Sequence, residues 1–485
     1  MNKNSQEKTP LLTTLQELAL KEDAPFYTPG HRKGEGISKS LKQLMGEKVF
    51  RADLPELPEL DNLFAPEGVI KEAQILASEA FGAKQTWFLA NGSTSGIIAS
   101  ILATCGEGDK IILPRNIHQS AIFGLILSGA TPLFINPEYN SDFDLCYTLS
   151  PFQIADVLET HSNVKAVMVV SPTYHGICAN LTEIANLAHH FNIPLLVDEA
   201  HGAHFSFHPN LPMSALKAGA DIAIQSTHKT LGAMTQASML HLQGNLVNPY
   251  RINQALQLVQ SSSPSYLLLA SLDGARQQMV MEGEKLLINT INLAIIARKE
   301  IAKLEYLSLL DFVKTLDNFA DLDITRLTIN VSKLGLTGYE ADEIFHQKFG
   351  VTCELPSLKN ITFIISYGNK IENIYRLIKA LKDLEKYQKK SDNNKFNHSS
   401  LPINSLKITP RQAFWAEKKV VSRDLAINEI SGENICPYPP GIPLIMAGEV
   451  ITKDALRYAQ EVINSGGIIT GTSDQSLNTL KIISG

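Results

Sequence analysis

Lys229 stands in Ser226-Thr-His-Lys-Thr-Leu-Gly232, directly after the apolar run Ile222-Ala-Ile-Gln225. A lysine at the end of a buried strand, beside hydroxyls and His228, is placed for chemistry. Desolvation and neighbouring positive charge lower an ammonium pKa, and the neutral amine forms a Schiff base with an aldehyde such as pyridoxal phosphate. A surface lysine is the ordinary alternative, so the reading depends on partners elsewhere in the chain.

Three other segments place chemistry-bearing residues at strand ends. Ile193-Pro-Leu-Leu-Val197 runs into Asp198-Glu-Ala-His-Gly202, which sets a carboxylate at the edge of an α/β sheet where ligands bind. There Asp198 either keeps a pyridine nitrogen protonated or caps the following turn. Thr86-Trp-Phe-Leu-Ala90 precedes Asn91-Gly-Ser-Thr-Ser-Gly96 and an apolar helical run from Ile97 to Cys105. Ser93, Thr94 and Ser95 thus open a helix whose N–H groups and dipole suit a phosphate, although hydroxyl residues are favoured at any N-cap. His118, after the strand Lys110-Ile-Ile-Leu113, offers an imidazole to lie against a ring or to serve as an ordinary loop histidine. Four such features on one sheet favour a single shared site.

Together with Thr28-Pro-Gly-His-Arg-Lys-Gly34, Asp53-Leu-Pro-Glu-Leu-Pro-Glu-Leu-Asp61, Ser171-Pro-Thr-Tyr-His-Gly176 and Tyr438-Pro-Pro-Gly-Ile-Pro443, these segments make the chain resemble the bacterial Orn/Lys/Arg decarboxylases. The resemblance is to the shorter members, without the amino-terminal wing. It implies a PLP-dependent transferase of fold type I: a mostly parallel seven-stranded sheet, a small α+β domain and a carboxy-terminal subdomain. It further implies that Lys229 carries pyridoxal 5'-phosphate, Asp198 pairs with its ring nitrogen, His118 stacks on the ring and Ser93 to Ser95 hold the phosphate. Ser226, His228, Ala200 and His201 would line the same pocket. Two positions depart from the family pattern: Gln119 replaces a usual lysine, and Ala447 a usual proline before Gly448-Glu449.

The implied reaction removes the α-carboxylate of a basic amino acid as CO2, with Lys229 or His228 returning a proton to Cα. Arginine and lysine are preferred over ornithine as substrate, and the amine product would feed polyamine synthesis. The competing reading is another fold type I enzyme, an aminotransferase or a carbon–sulfur lyase. A cationic side chain calls for a carboxylate at its far end. Glu433 and Glu449, on either side of the Tyr-Pro-Pro-Gly segment, are the candidates, with Asp53 and Glu56 behind them and Tyr174 as a pocket wall. His201 and His204 supply too few positions for a metal site.

Composition is that of an ordinary globular protein. Of 485 residues, 44% are hydrophobic and 19% charged, and the net charge of −6 argues against a nucleic-acid partner. Five cysteines without a CxxC pair point to a reducing cytoplasm, and no apolar run approaches the roughly 20 residues of a membrane span. The spacing predicts strands at 86–90, 110–113, 131–135, 165–171, 194–198, 222–226 and 237–242, with helical stretches between them. It also predicts helices over Pro10 to Lys21 and Leu267 to Leu304, and small-domain strands at 327–331 and 361–366. The expected division is an amino-terminal arm (1–66) wrapping a neighbour or the active site, a large cofactor domain (67–275), a small domain (276–388), a polar linker (389–400) and a carboxy-terminal subdomain (401–485). A homodimer or larger homo-oligomer follows from the resemblance.

Overall fold

The computed structural model describes residues 3–313, 316–389 and 404–484, so most of the expected linker lies outside the described residues. Seven strands make up the main sheet: β1 (Gln85–Leu89), β2 (Lys110–Pro114), β3 (Thr131–Ile135), β4 (Val164–Val170), β5 (Leu195–Asp198), β6 (Ile222–Gln225) and β7 (Ser238–Leu242). Strands covered on both faces read as continuous apolar runs, and β5, β6 and β7 are buried at every position. The chain separates into two compact units, Met1–Thr104 with Pro194–Lys285, and Cys105–Ile193 with Leu286–Gly485.

The first unit orders its strands β1-β7-β6-β5. β5 and β6 are parallel, with Asp198 opposite Ile224, whereas β7 is antiparallel to both β6 and β1. The helix Gly92–Thr104 lies close on this sheet because Gly96 has no side chain. A Cβ there would come within 2.7 Å of Leu89 Cδ1 and 2.9 Å of Ile224 Cγ2. The helix Pro10–Leu20 buries Leu11, Leu15 and Leu18 on one face. Its first N–H groups are met by Asp273, whose Oδ2 accepts from Leu11 at 3.1 Å and Leu12 at 3.3 Å. Arg276 donates to the carbonyls of Gln6 and Lys8, so the start of the arm is docked on its own chain.

In the second unit β4, β2 and β3 run parallel. A four-stranded antiparallel sheet is centred on Arg326–Asn330 and Asn360–Ile364. It is backed by the helix Ile371–Leu384, which buries Ile374, Leu377, Ile378, Leu381 and Leu384 at helical spacing. Leu293, Ala294, Ala297 and Ile301 join the same core from the long helix Tyr266–Ile301. The carboxy-terminal part has its own core around Ile435, Ile445, Leu456, Ala459 and Ile469, with Cys436–Tyr438 paired to Ile468–Thr470.

Candidate active site

The parallel pair β5 and β6 ends at one edge of the first unit, and most of the residues marked by the sequence gather there. Ser226 follows β6 and opens the helical turn Thr227–Thr230, which carries His228 and Lys229. Lys229 Nζ lies 3.1 Å from His201 Nε2. Burial pushes the Asp198 carboxyl up to about 6, while the Lys229 charge and the N–H of Ala200, 3.2 Å from Oδ1, act in the opposite direction. Amine, imidazole and carboxylate therefore form one electrostatic group. The ring of His228 sits 2.9 Å from the carbonyl of Ala237 through Nδ1. A carbonyl only accepts, so Nδ1 carries the proton and the neutral ring has its lone pair on Nε2.

The phosphate-type features assemble in the same unit. Ser226 Oγ donates to Ser93 Oγ at 2.7 Å, joining the end of β6 to the first turn of Gly92–Thr104. Ser93 and Thr94 are half-buried, whereas Ser95 is buried and donates its hydroxyl to the carbonyl of Gly92 at 2.7 Å. The turn entering this helix is pinned by two residues that pattern reading missed. Gln236 Nε2 donates to the Ala90 carbonyl at 2.7 Å, and Gln260 Oε1 accepts from the Ala90 N–H at 2.9 Å. The donor set suits a phosphorylated aldehyde: a free helix N-terminus with hydroxyls, an amine, and a buried carboxylate whose proton affinity is raised.

Behind these groups runs a second set of polar residues that the sequence did not mark. Glu199 accepts from the Ala215 N–H at 2.7 Å and from Gln225 Nε2 at 2.8 Å. Gln225 Oε1 lies 3.1 Å from His241 Nε2, and His241 Nδ1 lies 2.8 Å from Thr86 Oγ1. Burial pushes Glu199 up to about 8 and His241 down to about 3, so this row is uncharged at neutral pH.

His118 belongs to the second unit, where it caps the helix Gln119–Ser128 and Nδ1 accepts the Ser120 N–H at 3.2 Å. The Tyr-Pro-Pro-Gly segment lies against it. Gly441 has φ +86°, a Cβ on it would come 3.4 Å from His118 Nε2, and its carbonyl accepts the Gln119 N–H at 3.1 Å. The Tyr174 hydroxyl reaches the Pro440 carbonyl at 3.4 Å.

The two glutamates expected at a substrate's far end each make several hydrogen bonds within the fold. Glu449 is 1% exposed and takes Arg115 through both oxygens, at 2.9 and 2.8 Å, as well as the Met446 N–H. Arg115 also donates to the carbonyls of Pro443 and Leu444. Glu433 accepts from Thr472 Oγ1, the Ser473 N–H and the Lys481 N–H at 3.0, 2.9 and 3.0 Å. Glu449 is thus held by Arg115 at the end of β2, and Glu433 by the carboxy-terminal part. Asp53 pairs with His31 at 3.1 Å, and Glu56 accepts from Asn62 at 2.9 Å.

Comparison with known proteins agrees along the whole chain. Residues 9–325 match the family described as Orn/Lys/Arg decarboxylase, major domain, and residues 393–466 match the Orn/Lys/Arg decarboxylase, C-terminal domain. An arginine decarboxylase of Bacillus anthracis is 38% identical over 487 residues, covering 100% of this chain and 99% of that protein. One from Bacillus subtilis (strain 168) is 38% identical over 482 residues, covering 99% and 98%. Among solved structures, lysine decarboxylase A from Pseudomonas aeruginosa has the same fold, with a TM-score of 0.83 at 23% identity over 100% of this chain and 81% of that one. The chain therefore belongs to the Orn/Lys/Arg decarboxylase family.

Proposed function

We propose that this protein decarboxylates a basic amino acid, arginine or lysine before ornithine, to the corresponding amine with pyridoxal 5'-phosphate as cofactor. The observation that carries the reading is the group at the ends of β5 and β6, where Lys229 Nζ lies 3.1 Å from His201 and its charge acts on Asp198. When bound, pyridoxal phosphate supplies an electron sink for the pair released as CO2 leaves. Lys229 presents its amine, and His201 Nε2 is within reach to accept a proton from it. Asp198 holds a proton at a pyridine nitrogen by opposing charge. The first-turn N–H groups of Gly92–Thr104, with the hydroxyls of Ser93, Thr94 and Ser226, bind the phosphate. His118 has its ring fixed by Ser120 and bordered by Gly441, the rigidity that a stacking face requires. Lys229 Nζ is suited to return a proton to Cα, as is His228 once its Nε2 has taken one up.

The full-length arginine decarboxylases favour arginine within the basic class. The amine would enter polyamine chemistry, and the enzyme would work as a homodimer or larger homo-oligomer, as the family resemblance implies. A cytoplasmic location is supported by the cysteine pattern and by the lack, among the described residues, of a helix long and apolar enough to cross a membrane. The test incubates purified protein and pyridoxal phosphate with arginine, lysine and ornithine in turn, scoring CO2, amine and keto acid. Equal yields of CO2 and amine are expected. Keto acid without CO2 would assign an aminotransferase instead.

A further inference from the structure

The second unit encloses a cavity of about 240 Å³ whose wall is mostly aliphatic and aromatic. Four tyrosines, Tyr139, Tyr174, Tyr339 and Tyr458, line it, together with the carboxylate of Asp144. Asp144 sits in the hairpin that joins Tyr139–Asn140 to Leu145–Cys146, with φ +48°, a left-handed conformation that Asp tolerates better than most residues. It is 8% exposed. Its Oδ1 accepts from the Tyr139 hydroxyl at 2.6 Å and its Oδ2 from the Tyr458 hydroxyl at 3.2 Å.

The electrostatics of the wall favour a cation. Burial and the Asp144 charge push up the Tyr139, Tyr339 and Tyr458 phenols, and raise the Cys146 thiol to about 12, so these groups stay protonated. Burial holds the His175 imidazole down at about 4, uncharged at neutral pH. Among the described lining residues Arg115 alone bears a lysine- or arginine-type charge, and its guanidinium is taken by Glu449 and by two carbonyls. Tyrosine faces attract ammonium and guanidinium groups, an aliphatic wall suits an alkyl chain, and a buried carboxylate gives a charge-assisted hydrogen bond. A metal ion does not fit this wall, since no group of three or more potential His, Cys, Asp or Glu ligands occurs among the described residues.

We propose that this cavity binds the cationic end of an alkylamine or alkylguanidine, with Asp144 as the charge partner and Tyr139 and Tyr458 fixing the carboxylate. Two sources share that chemistry: the side chain of the basic amino acid, and the amine it becomes. The naming of these two ligands rests on the proposed decarboxylation, whereas the cation chemistry of the cavity stands on its wall. Pro439 and Pro440 line the cavity and the next residue, Gly441, packs on His118, so one short loop borders both places.

The test titrates holoenzyme with agmatine, cadaverine and putrescine by calorimetry, using 1-pentanol as the uncharged control. Wild type, Asp144→Asn and Tyr458→Phe are compared after their thermal midpoints confirm folding. A tenfold or greater loss of amine affinity is expected in Asp144→Asn and a few-fold loss in Tyr458→Phe, with pentanol unaffected. Should Asp144→Asn fail to fold, Tyr458→Phe and Tyr139→Phe carry the comparison. Steady-state kinetics separate the sources. A higher KM in Asp144→Asn with competitive amine inhibition assigns the substrate side chain; an unchanged KM with loss of non-competitive amine inhibition assigns a separate amine site. Amine affinities equal in wild type and variants, or no binding to wild type, would overturn the proposal. CO2 release by wild type reads the decarboxylase assignment separately.

Discussion

At the scale of single residues, the site combines charges that need one another with polar groups that stay neutral. Asp198 and Lys229 belong to the first kind, since burial raises the carboxyl and the lysine charge opposes that shift. Glu199 belongs to the second, its carboxyl pushed by burial from 4.5 up to about 8. A carboxyl with a folded pKa above its unfolded value holds its proton more tightly in the folded state. Its contribution to stability is full below pH 4.5 and is lost as pH rises through about 8. The thermal midpoint of wild type should therefore fall between pH 6 and pH 9 by several degrees more than that of Glu199→Gln; parallel curves would show that Glu199 is ionised throughout. Lys229 and Asp198 were legible because each follows an apolar strand and differs sharply from it. The row Glu199, Gln225, His241 and Thr86 was not legible, because isolated polar residues inside apolar strands reveal a common hydrogen-bonded line only once register is known. Glu433 and Glu449 show the opposite difficulty. A carboxylate beside a pocket-forming segment and one bracing that segment have the same local sequence, and only Arg115, 334 positions away from Glu449, tells them apart.

At the scale of elements, the proposed phosphate cradle depends on the position of one helix. The Gly92–Thr104 helix approaches β1 and β6 as closely as Gly96 allows, which brings Ser93 within 2.7 Å of Ser226. Replacing Gly96 with alanine forces a Cβ against Leu89 and Ile224. Overpacking of this kind costs about 1–3 kcal/mol. Urea denaturation should show a loss in that range, and fluorescence titration should show weaker cofactor binding as the helix moves off the sheet. Unchanged values in both measurements would mean that the cradle does not depend on this contact. The strands were legible nearly to the residue, since buried strands bounded by Gly, Pro and Asn carry their ends in the sequence. Helix-to-strand closeness was not, because it depends on which atoms face a glycine across the layer.

At the scale of the molecule, distant stretches of chain are joined by a few buried polar contacts. The Arg115–Glu449 pair ties the end of β2 to the carboxy-terminal part, with side chains 14% and 1% exposed. Breaking a buried pair while leaving one charge in place costs about 3–5 kcal/mol. Glu449→Gln should lose much of that in chemical denaturation, and Arg115→Met with Glu449→Gln should recover part of it; a single variant as stable as wild type would remove the pair from this role. The two compact units were not legible in the sequence, because each combines segments far apart along it, 1–104 with 194–285 and 105–193 with 286–485.

The central claim is that Lys229 carries the cofactor, and borohydride reduction followed by peptide mass mapping tests it most directly. Protein equilibrated with pyridoxal phosphate, reduced and digested should yield one modified peptide, heavier by a single phosphopyridoxyl group placed on Lys229, and Lys229→Ala should yield none. A wild-type digest with Lys229 unmodified, or with the group on another lysine, would contradict the account.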